Sequence, residues 1–139
     1  MKIVENFTSE KSKNVDESYR NNYEKDDICN MFNNIAPDYD LINHLTSLGI
    51  DNKWRNITVS EAGNIKNKKI IDLATGTGDI AIRLSRNATE TITAVDISEN
   101  MLFYALQKVK ELNICNKIDF IKADLENLPF ADNTYDIAT

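Results

Sequence analysis

The sequence predicts an α/β protein with a doubly wound parallel sheet. Short apolar segments alternate with amphipathic helical segments between residues 67 and 139, which is the pattern of parallel strands joined by helical crossovers. At residues 69–79 the strand-like segment KIIDL leads directly into ATGTGD, which holds two of the four glycines of the chain. We therefore expect an α/β domain at 67–139, a helical cap at 28–66 and a polar, mobile leader at 1–27.

The first cap helix is indicated by apolar periodicity. Ile28, Met31, Phe32 and Ile35 recur at the spacing of one helix face, and Pro37 ends the pattern. Leu41 and Leu45 begin a second apolar face, and a helix is expected over residues 38–48.

A third cap helix is expected over residues 52–62. Asp51 is predicted to cap its start, and Gly63 to end it. Trp54 and Ile57 are expected to face inward.

The strands and helices of the α/β domain follow in order. β-Branched and apolar residues predict buried strands, and a serine before an amphipathic segment predicts a capped helix. The expected elements are a strand at 68–73, a helix at 79–86, a strand at 91–95, a helix from the Ser98 cap to about residue 112, a strand at 117–123 and the start of a fourth strand at 135–139.

Composition narrows the functional classes. The net charge of −6 argues against nucleic acid as the main partner, which requires a basic surface. The two cysteines, Cys29 and Cys115, are too few for a disulfide framework or a zinc site, so no metal is expected. The N-terminal residues lack the apolar core of a signal peptide, and no segment is apolar enough to span a bilayer. A cytoplasmic location is expected.

Acidic residues lie at the ends of three successive predicted strands. Asp72 follows the apolar part of the first strand, Asp96 ends the second and Asp124 follows the third. The carboxyl ends of parallel strands meet at one edge, where ligands bind at the reversal of strand order. One such carboxylate alone would most simply be a helix cap or a solvated loop residue. Three of them around a glycine turn favour a nucleoside pocket.

The glycine turn and the second carboxylate suggest how a nucleoside would be held. Gly76 and Gly78 allow a tight turn and let a ligand lie against the bare main chain, and the free N–H groups of the next helix point to the same place. Asp96 could accept hydrogen bonds from both hydroxyls of a ribose. Asp124 would lie on the next loop, near an adenine.

The identity of the nucleoside depends on Asp72. GTGDIA at residues 76–81 also fits the dinucleotide fingerprint G-x-G-x-x-A, which leaves a nicotinamide-binding domain as an alternative. A pyrophosphate at this turn would meet the carboxylate of Asp72, whereas a positively charged sulfonium would be attracted to it. S-adenosylmethionine is the cofactor that this charge pattern favours.

Several sequence blocks carry a resemblance to known methyltransferases. IIDLATGTGD, VDIS and ADLENLPFADNTYD look like the class I S-adenosylmethionine-dependent methyltransferases. MFNNIAPDYDLINHLTSLGIDNKWR at 31–55, with LPFADNTYD at 128–136, resembles one branch, the ubiquinone/menaquinone biosynthesis C-methyltransferases. The match extends from about residue 31 to residue 139. Many methyltransferases share the glycine turn, and the block before it is far more specific.

The resemblance implies a Rossmann-like fold and methyl transfer from S-adenosylmethionine to a ring carbon of a prenylated demethylmenaquinol, giving menaquinol. Tyr39 would close over the sulfonium, although a core aromatic at a helix start is an equally good interpretation. The implied cofactor residues are Asp72 near the charge, Gly76, Thr77 and Gly78 along the methionine part, Asp96 at the ribose, Ile97, Asp124 and Leu125 around the adenine, and Tyr39.

Family members are expected to be longer, so the sheet is expected to be incomplete on its C-terminal side. The residue that activates the acceptor would lie beyond Thr139, and no catalytic residue is named. We expect the chain alone to lack transferase activity and to associate through the open sheet edge; a prenylated acceptor suggests peripheral membrane contact. A methyltransferase with another small acceptor, or an inactive fragment that binds the cofactor or only a partner, stays open.

Overall fold

The computed structural model describes residue 27 and residues 29–139. Residues 1–26, most of the expected leader, and Ile28, which was assigned to the first apolar helix face, lie outside the described residues. The division into leader, cap and α/β domain stays a prediction.

Among the residues that the structure describes, four parallel strands form the sheet. In chain order they are β1 (Ile70–Leu73), β2 (Ile92–Asp96), β3 (Ile118–Lys122) and β4 (Ile137–Ala138). Their order across the sheet is β3-β2-β1-β4, and every pairing is parallel. Each strand was located within two residues of its expected ends, and the predicted parallel α/β class is confirmed.

The strand order reverses at β1. The chain steps from β1 to β2 to β3 in one direction, and then returns to place β4 on the other side of β1. In open α/β sheets this reversal creates a crevice beyond the carboxyl ends of the strands, where ligands bind. The turn after β1 is therefore the position that the topology favours for a site.

Five helices accompany the sheet among the described residues. They are α1 (29–35), α2 (Tyr39–Thr46), α3 (Ile50–Glu61), α4 (Asp79–Leu84) and α5 (Glu99–Glu111). The predicted cap of α5 is confirmed, since Ser98 Oγ accepts a hydrogen bond from the Met101 amide at 3.2 Å. Met101, Ala105 and Val109 are buried on α5, which matches its predicted apolar face.

The core lies between the sheet and the helices that follow its strands. Ile70, Leu84, Ile92 and Val109 are no more than 1% exposed. Burial of an aliphatic side chain of this size contributes about 1.5–3 kcal/mol. Ile70 and Ile92 begin β1 and β2, and the carboxyl ends of these two strands are paired in register, with Leu73 opposite Val95.

The predicted cap of α3 is wrong. The helix begins at Ile50, with Gly49 as its N-cap residue at φ 78°. Asp51 lies inside the first turn and is 8% exposed. Its carboxylate accepts hydrogen bonds from Ser47 and Arg55, so its side chain pairs with neighbouring groups instead of capping the helix.

The predicted inward orientation of Trp54 and Ile57 is also wrong. Their exposed fractions are 62% and 46%. The inward stripe of α3 passes through Asp51, Arg55 and Val59, of which Val59 packs on the core. Helix geometry then turns positions 54 and 57 away from that stripe.

Apart from Met31 on α1, which is 50% exposed, the remaining exposed large apolar side chains of the cap lie on and around α2. Leu41, Leu45 and Leu48 are 59%, 62% and 89% exposed. The helix ends at Thr46, two residues before its expected end. In the part of the chain that the structure describes, no helix has the length and apolar character needed to cross a membrane.

Candidate cofactor-binding site

The turn between β1 and α4 places bare main chain at the sheet edge. Gly76 and Gly78 have φ values of 56° and 83°, and Ala74 has φ 52° although it carries a side chain. The Gly78 amide donates to the Thr75 carbonyl at 2.9 Å, and the Thr75 amide donates to the Val95 carbonyl at 2.9 Å. The turn is thus fastened both to itself and to β2.

Asp96 joins the glycine turn to the start of α5. It is the last residue of β2, and its Oδ2 accepts the Gly76 amide hydrogen at 2.7 Å. Its Oδ1 accepts the Ser98 amide hydrogen at 2.8 Å. The sequence placed Asp96 and Gly76 in one pocket, and the structure brings them into direct contact.

Asp72 lies inside the protein. It is 2% exposed and accepts hydrogen bonds from Thr75 Oγ1 at 2.6 Å and Thr139 Oγ1 at 2.9 Å. Burial raises the pKa of its carboxyl. The hydrogen bonds from the two threonines act to lower this pKa, and the nearby charge of Asp96 acts to raise it. This burial argues against direct contact between Asp72 and a ligand.

The expected adenine residues lie on the two loops next to Asp96. The Ala123 amide donates to the Asp96 carbonyl at 3.1 Å, which places Asp124 and Leu125 beside the end of β2. Leu125 is 45% exposed, while Ile97 is half-buried and its carbonyl accepts the Cys29 thiol at 3.6 Å. Apolar surface and a carboxylate therefore meet at this end of the site.

Tyr39 lies over the turn at the other end. A Cβ atom added to Gly76 would be 3.8 Å from Tyr39 Cε1, so the ring edge approaches the glycine without filling its place. Phe32 packs against the same ring with centroids 6.4 Å apart, edge to face. The first residue of α2 is thus positioned from the cap against the glycine turn.

Sequence reasoning missed a charged network beside Thr77. Thr77 Oγ1 donates to Asp40 Oδ1 at 2.5 Å, and Lys108 Nζ donates to Thr77 Oγ1 at 2.9 Å and to Asp79 Oδ1 at 2.8 Å. Asp79 also pairs with Arg55, whose Nε lies 3.3 Å from its Oδ2. Asp79 belongs to the ATGTGD segment, so the sequence indicates its position beside the glycine turn. No local motif indicates that Lys108 joins it.

Arg55 extends this network to Asp51. Burial disfavours ionisation of the Asp51 carboxyl, yet hydrogen bonds from Ser47, Arg55 and His44 outweigh it and lower its pKa to about 2. His44 Nδ1 lies 3.1 Å from Asp51 Oδ1. The sole histidine thus has a structural partner in the cap.

Replacing Asp72 with asparagine should change the free energy of unfolding, measured against the wild type, more favourably at pH 7 than at acidic pH. A raised pKa means that the folded protein binds this proton more tightly than the unfolded chain, so the Asp72 contribution to the free energy of unfolding falls as pH rises from about 3.8 through the folded pKa. The substitution removes that penalty. Urea unfolding of both proteins at pH 7 and pH 3.5 should show a relative gain that disappears in acid.

Asp119→Asn, the same chemical change at an exposed position on β3, is the matched control. An Asp72→Asn difference that stays the same at both pH values would show that Asp72 titrates like a solvated carboxyl.

The parallel sheet, the glycine turn at its switch point and the carboxylate at the end of β2 define an α/β protein with the fold of the class I methyltransferases. A solved S-adenosylmethionine-dependent methyltransferase from Aquifex aeolicus superposes with a TM-score of 0.53 and 28% identity, over 60% of this chain and 45% of its own. Residues 18–139 match the ubiE/COQ5 methyltransferase family. The chain belongs to this family, which confirms the resemblance.

Two relatives illustrate the similarity. The ubiquinone/menaquinone biosynthesis C-methyltransferase of Haemophilus ducreyi is 40% identical over 78% of this chain and 43% of its own length. The demethylmenaquinone methyltransferase of Bacteroides fragilis is 40% identical over 96% of this chain and 54% of its own. The chain spans about half the length of the curated relatives it matches.

Proposed function

We propose that this chain forms the methyl-donor part of an S-adenosylmethionine-dependent C-methyltransferase of quinone biosynthesis. The acceptor is a prenylated demethylmenaquinol, which gains a methyl group on a ring carbon to become menaquinol. The observation that carries the proposal is the contact of Asp96 with the Gly76 amide at 2.7 Å. Family membership and the activities named for the two relatives support it.

The residues at this edge fit the cofactor. The added Cβ at Gly76 would make only ordinary contact, with Tyr39 at 3.8 Å, so the turn leaves its main chain accessible on that side. Each oxygen of Asp96 accepts one amide hydrogen bond. A carboxylate oxygen can accept about two hydrogen bonds, so each keeps capacity for a ribose hydroxyl.

S-adenosylmethionine supplies an electrophilic methyl group on a positively charged sulfur. The chain would hold its ribose through Asp96, its methionine part along residues 76–78 and its adenine against Ile97 and Leu125. The ring of Tyr39 would cover the charge and exclude water, since aromatic rings attract cations. Alignment of two reactants can supply about 7–11 kcal/mol of the barrier.

Binding of S-adenosylhomocysteine should separate this proposal from the nicotinamide alternative. Titration calorimetry of the 139-residue chain should give saturable heats with S-adenosylhomocysteine and none with NAD at matched concentration. Binding of NAD without a signal from S-adenosylhomocysteine would overturn the proposal. A cofactor-binding chain that does not methylate demethylmenaquinol, even in the longer protein, would point to another acceptor or to an inactive fragment.

The cellular location, the membrane contact and the self-association of the protein stay predictions. A cytoplasmic location is supported by the two cysteines, Cys29 and Cys115, which are both free thiols. Peripheral membrane contact would suit a prenylated acceptor, and self-association would use the open edge at β4. No residue among those described is assigned as the base that activates the acceptor.

A further inference from the structure

One ammonium group connects the cap to the glycine turn. Lys108, on α5, directs its Nζ to Thr77 Oγ1 at 2.9 Å, to Asp79 Oδ1 at 2.8 Å and to the Asp40 carboxylate. An ammonium has three donors, and these three partners can take all of them. They come from the glycine turn, the first residue of α4 and cap helix α2.

The contacts around Lys108 form a closed ring. Thr77 Oγ1 accepts from Lys108 and donates to Asp40 Oδ1 at 2.5 Å, so the hydroxyl hydrogen is directed to the cap. The Lys108 side chain is 28% exposed, which limits screening by solvent. Loss of the ammonium would leave two carboxylates facing each other across the turn.

Asp40 is adjacent in the chain to Tyr39. Tyr39 is the first residue of α2, and its ring edge approaches Gly76. Anchoring the Asp40 carboxylate therefore fixes where the ring lies over the turn. Lys108 acts on this ring through Asp40, and its own contact with the glycine turn is to the Thr77 hydroxyl.

The other end of the cap is fastened independently. Asn33, on α1, accepts a hydrogen bond from the Ser98 hydroxyl at its Oδ1, at 2.7 Å. The backbone carbonyl of Asn33 accepts a hydrogen bond from the Asn100 side-chain amide at 3.0 Å. These bonds do not involve Lys108. Loss of Lys108 should therefore loosen α2 at the methionine end while α1 keeps its place beside the adenine end.

We propose that Lys108 is a positioning residue that locks α2 and Tyr39 over the methionine end of the bound donor. This inference rests on the proposed function, because it assumes that the donor lies at the glycine turn. Its consequence is kinetic: the lock slows departure of the donor more than it affects entry.

The test compares S-adenosylhomocysteine dissociation from the wild-type chain and from Lys108→Met by surface plasmon resonance. We expect dissociation to be about tenfold faster, with little change in association, because most differences in affinity between variants of one site arise in the dissociation rate. Lys108→Arg should restore part of the slow dissociation because it keeps the positive charge. Raising the salt concentration should speed dissociation from the wild type but hardly change that from Lys108→Met.

Lys110→Met, an exposed position two residues along α5, is the matched control and should match the wild type. Far-UV circular dichroism and urea unfolding verify that each variant is folded. If wild type binds S-adenosylhomocysteine but Lys108→Met releases it at the wild-type rate, Lys108 is not the lock. If wild type does not bind at all, the proposed function fails instead.

Discussion

Alanine at position 78 should lower the free energy of unfolding by about 3 kcal/mol. Gly78 has φ 83°, and an added Cβ would lie 3.1 Å from Ala105 Cβ and 3.5 Å from Phe120 Cε1. The left-handed backbone costs an L-residue about 1–2 kcal/mol, and an extra methyl group in a packed core costs about 1–3 kcal/mol. Urea unfolding followed by circular dichroism measures the sum.

Gly63→Ala is the matched control for Gly78→Ala. Gly63 also has positive φ, 67°, but its added Cβ would meet only the Glu61 carbonyl oxygen, at 4.0 Å. It should therefore show the backbone cost alone, about 1–2 kcal/mol. Equal losses at the two positions would mean that the contact with Ala105 contributes nothing.

The two glycines of the turn are required for different reasons. The sequence predicted that both leave room for a ligand. At Gly78 the neighbours are Ala105 and Phe120, so the missing side chain allows α5 and β3 to pack on the turn. At Gly76 the neighbour is the edge of Tyr39, at an ordinary contact distance. The space left by the missing side chain is therefore filled by packing at Gly78 and stays open at Gly76, a distinction that sequence spacing does not contain.

The parts of the fold that sequence predicted are those encoded locally. β2 is a short run of apolar and β-branched residues, and the Ser98 cap precedes a regular amphipathic helix. Trp54 shows where this approach ends. The sequence around Trp54 has the periodicity of a helix. Which face of α3 points inward, however, depends on the ion pair between Arg55 and Asp79. Such a long-range partner cannot be inferred from local hydrophobicity.

The candidate site follows the same rule: its locally encoded residues were predicted, and its long-range contacts were not. Asp96 follows from its position at a strand end, because the carboxyl ends of parallel strands share one edge. Lys108 is 31 residues from Thr77, and its pairing exists only because α5 packs beside the turn. Asp72 was correctly placed in β1, but its burial depends on the hydroxyls of Thr75 and Thr139.

Replacing Asp96 with alanine should weaken binding of S-adenosylhomocysteine by about 100-fold or more. Hydrogen bonds to a charged group contribute about 1.5–3 kcal/mol each, and two ribose hydroxyls would lose such bonds; about 1.4 kcal/mol corresponds to tenfold in affinity. Calorimetry of the wild type and variant at pH 7 measures the ratio. Asp119→Ala on β3, the same chemical change at an exposed position, should bind as tightly as the wild type.

Asp96→Ala also removes a structural acceptor, and this effect must be separated from ribose binding. The amide hydrogens of Gly76 and Ser98 lose their partner, which costs about 1–3 kcal/mol for each one left buried and unpaired. Asp96→Asn keeps one acceptor oxygen and should recover part of that stability, yet without the charge it should still bind at least about tenfold more weakly than the wild type. A folded Asp96→Ala protein with wild-type affinity would show that Asp96 does not hold the ribose, and the contact between Asp96 and the Gly76 amide would then be purely structural.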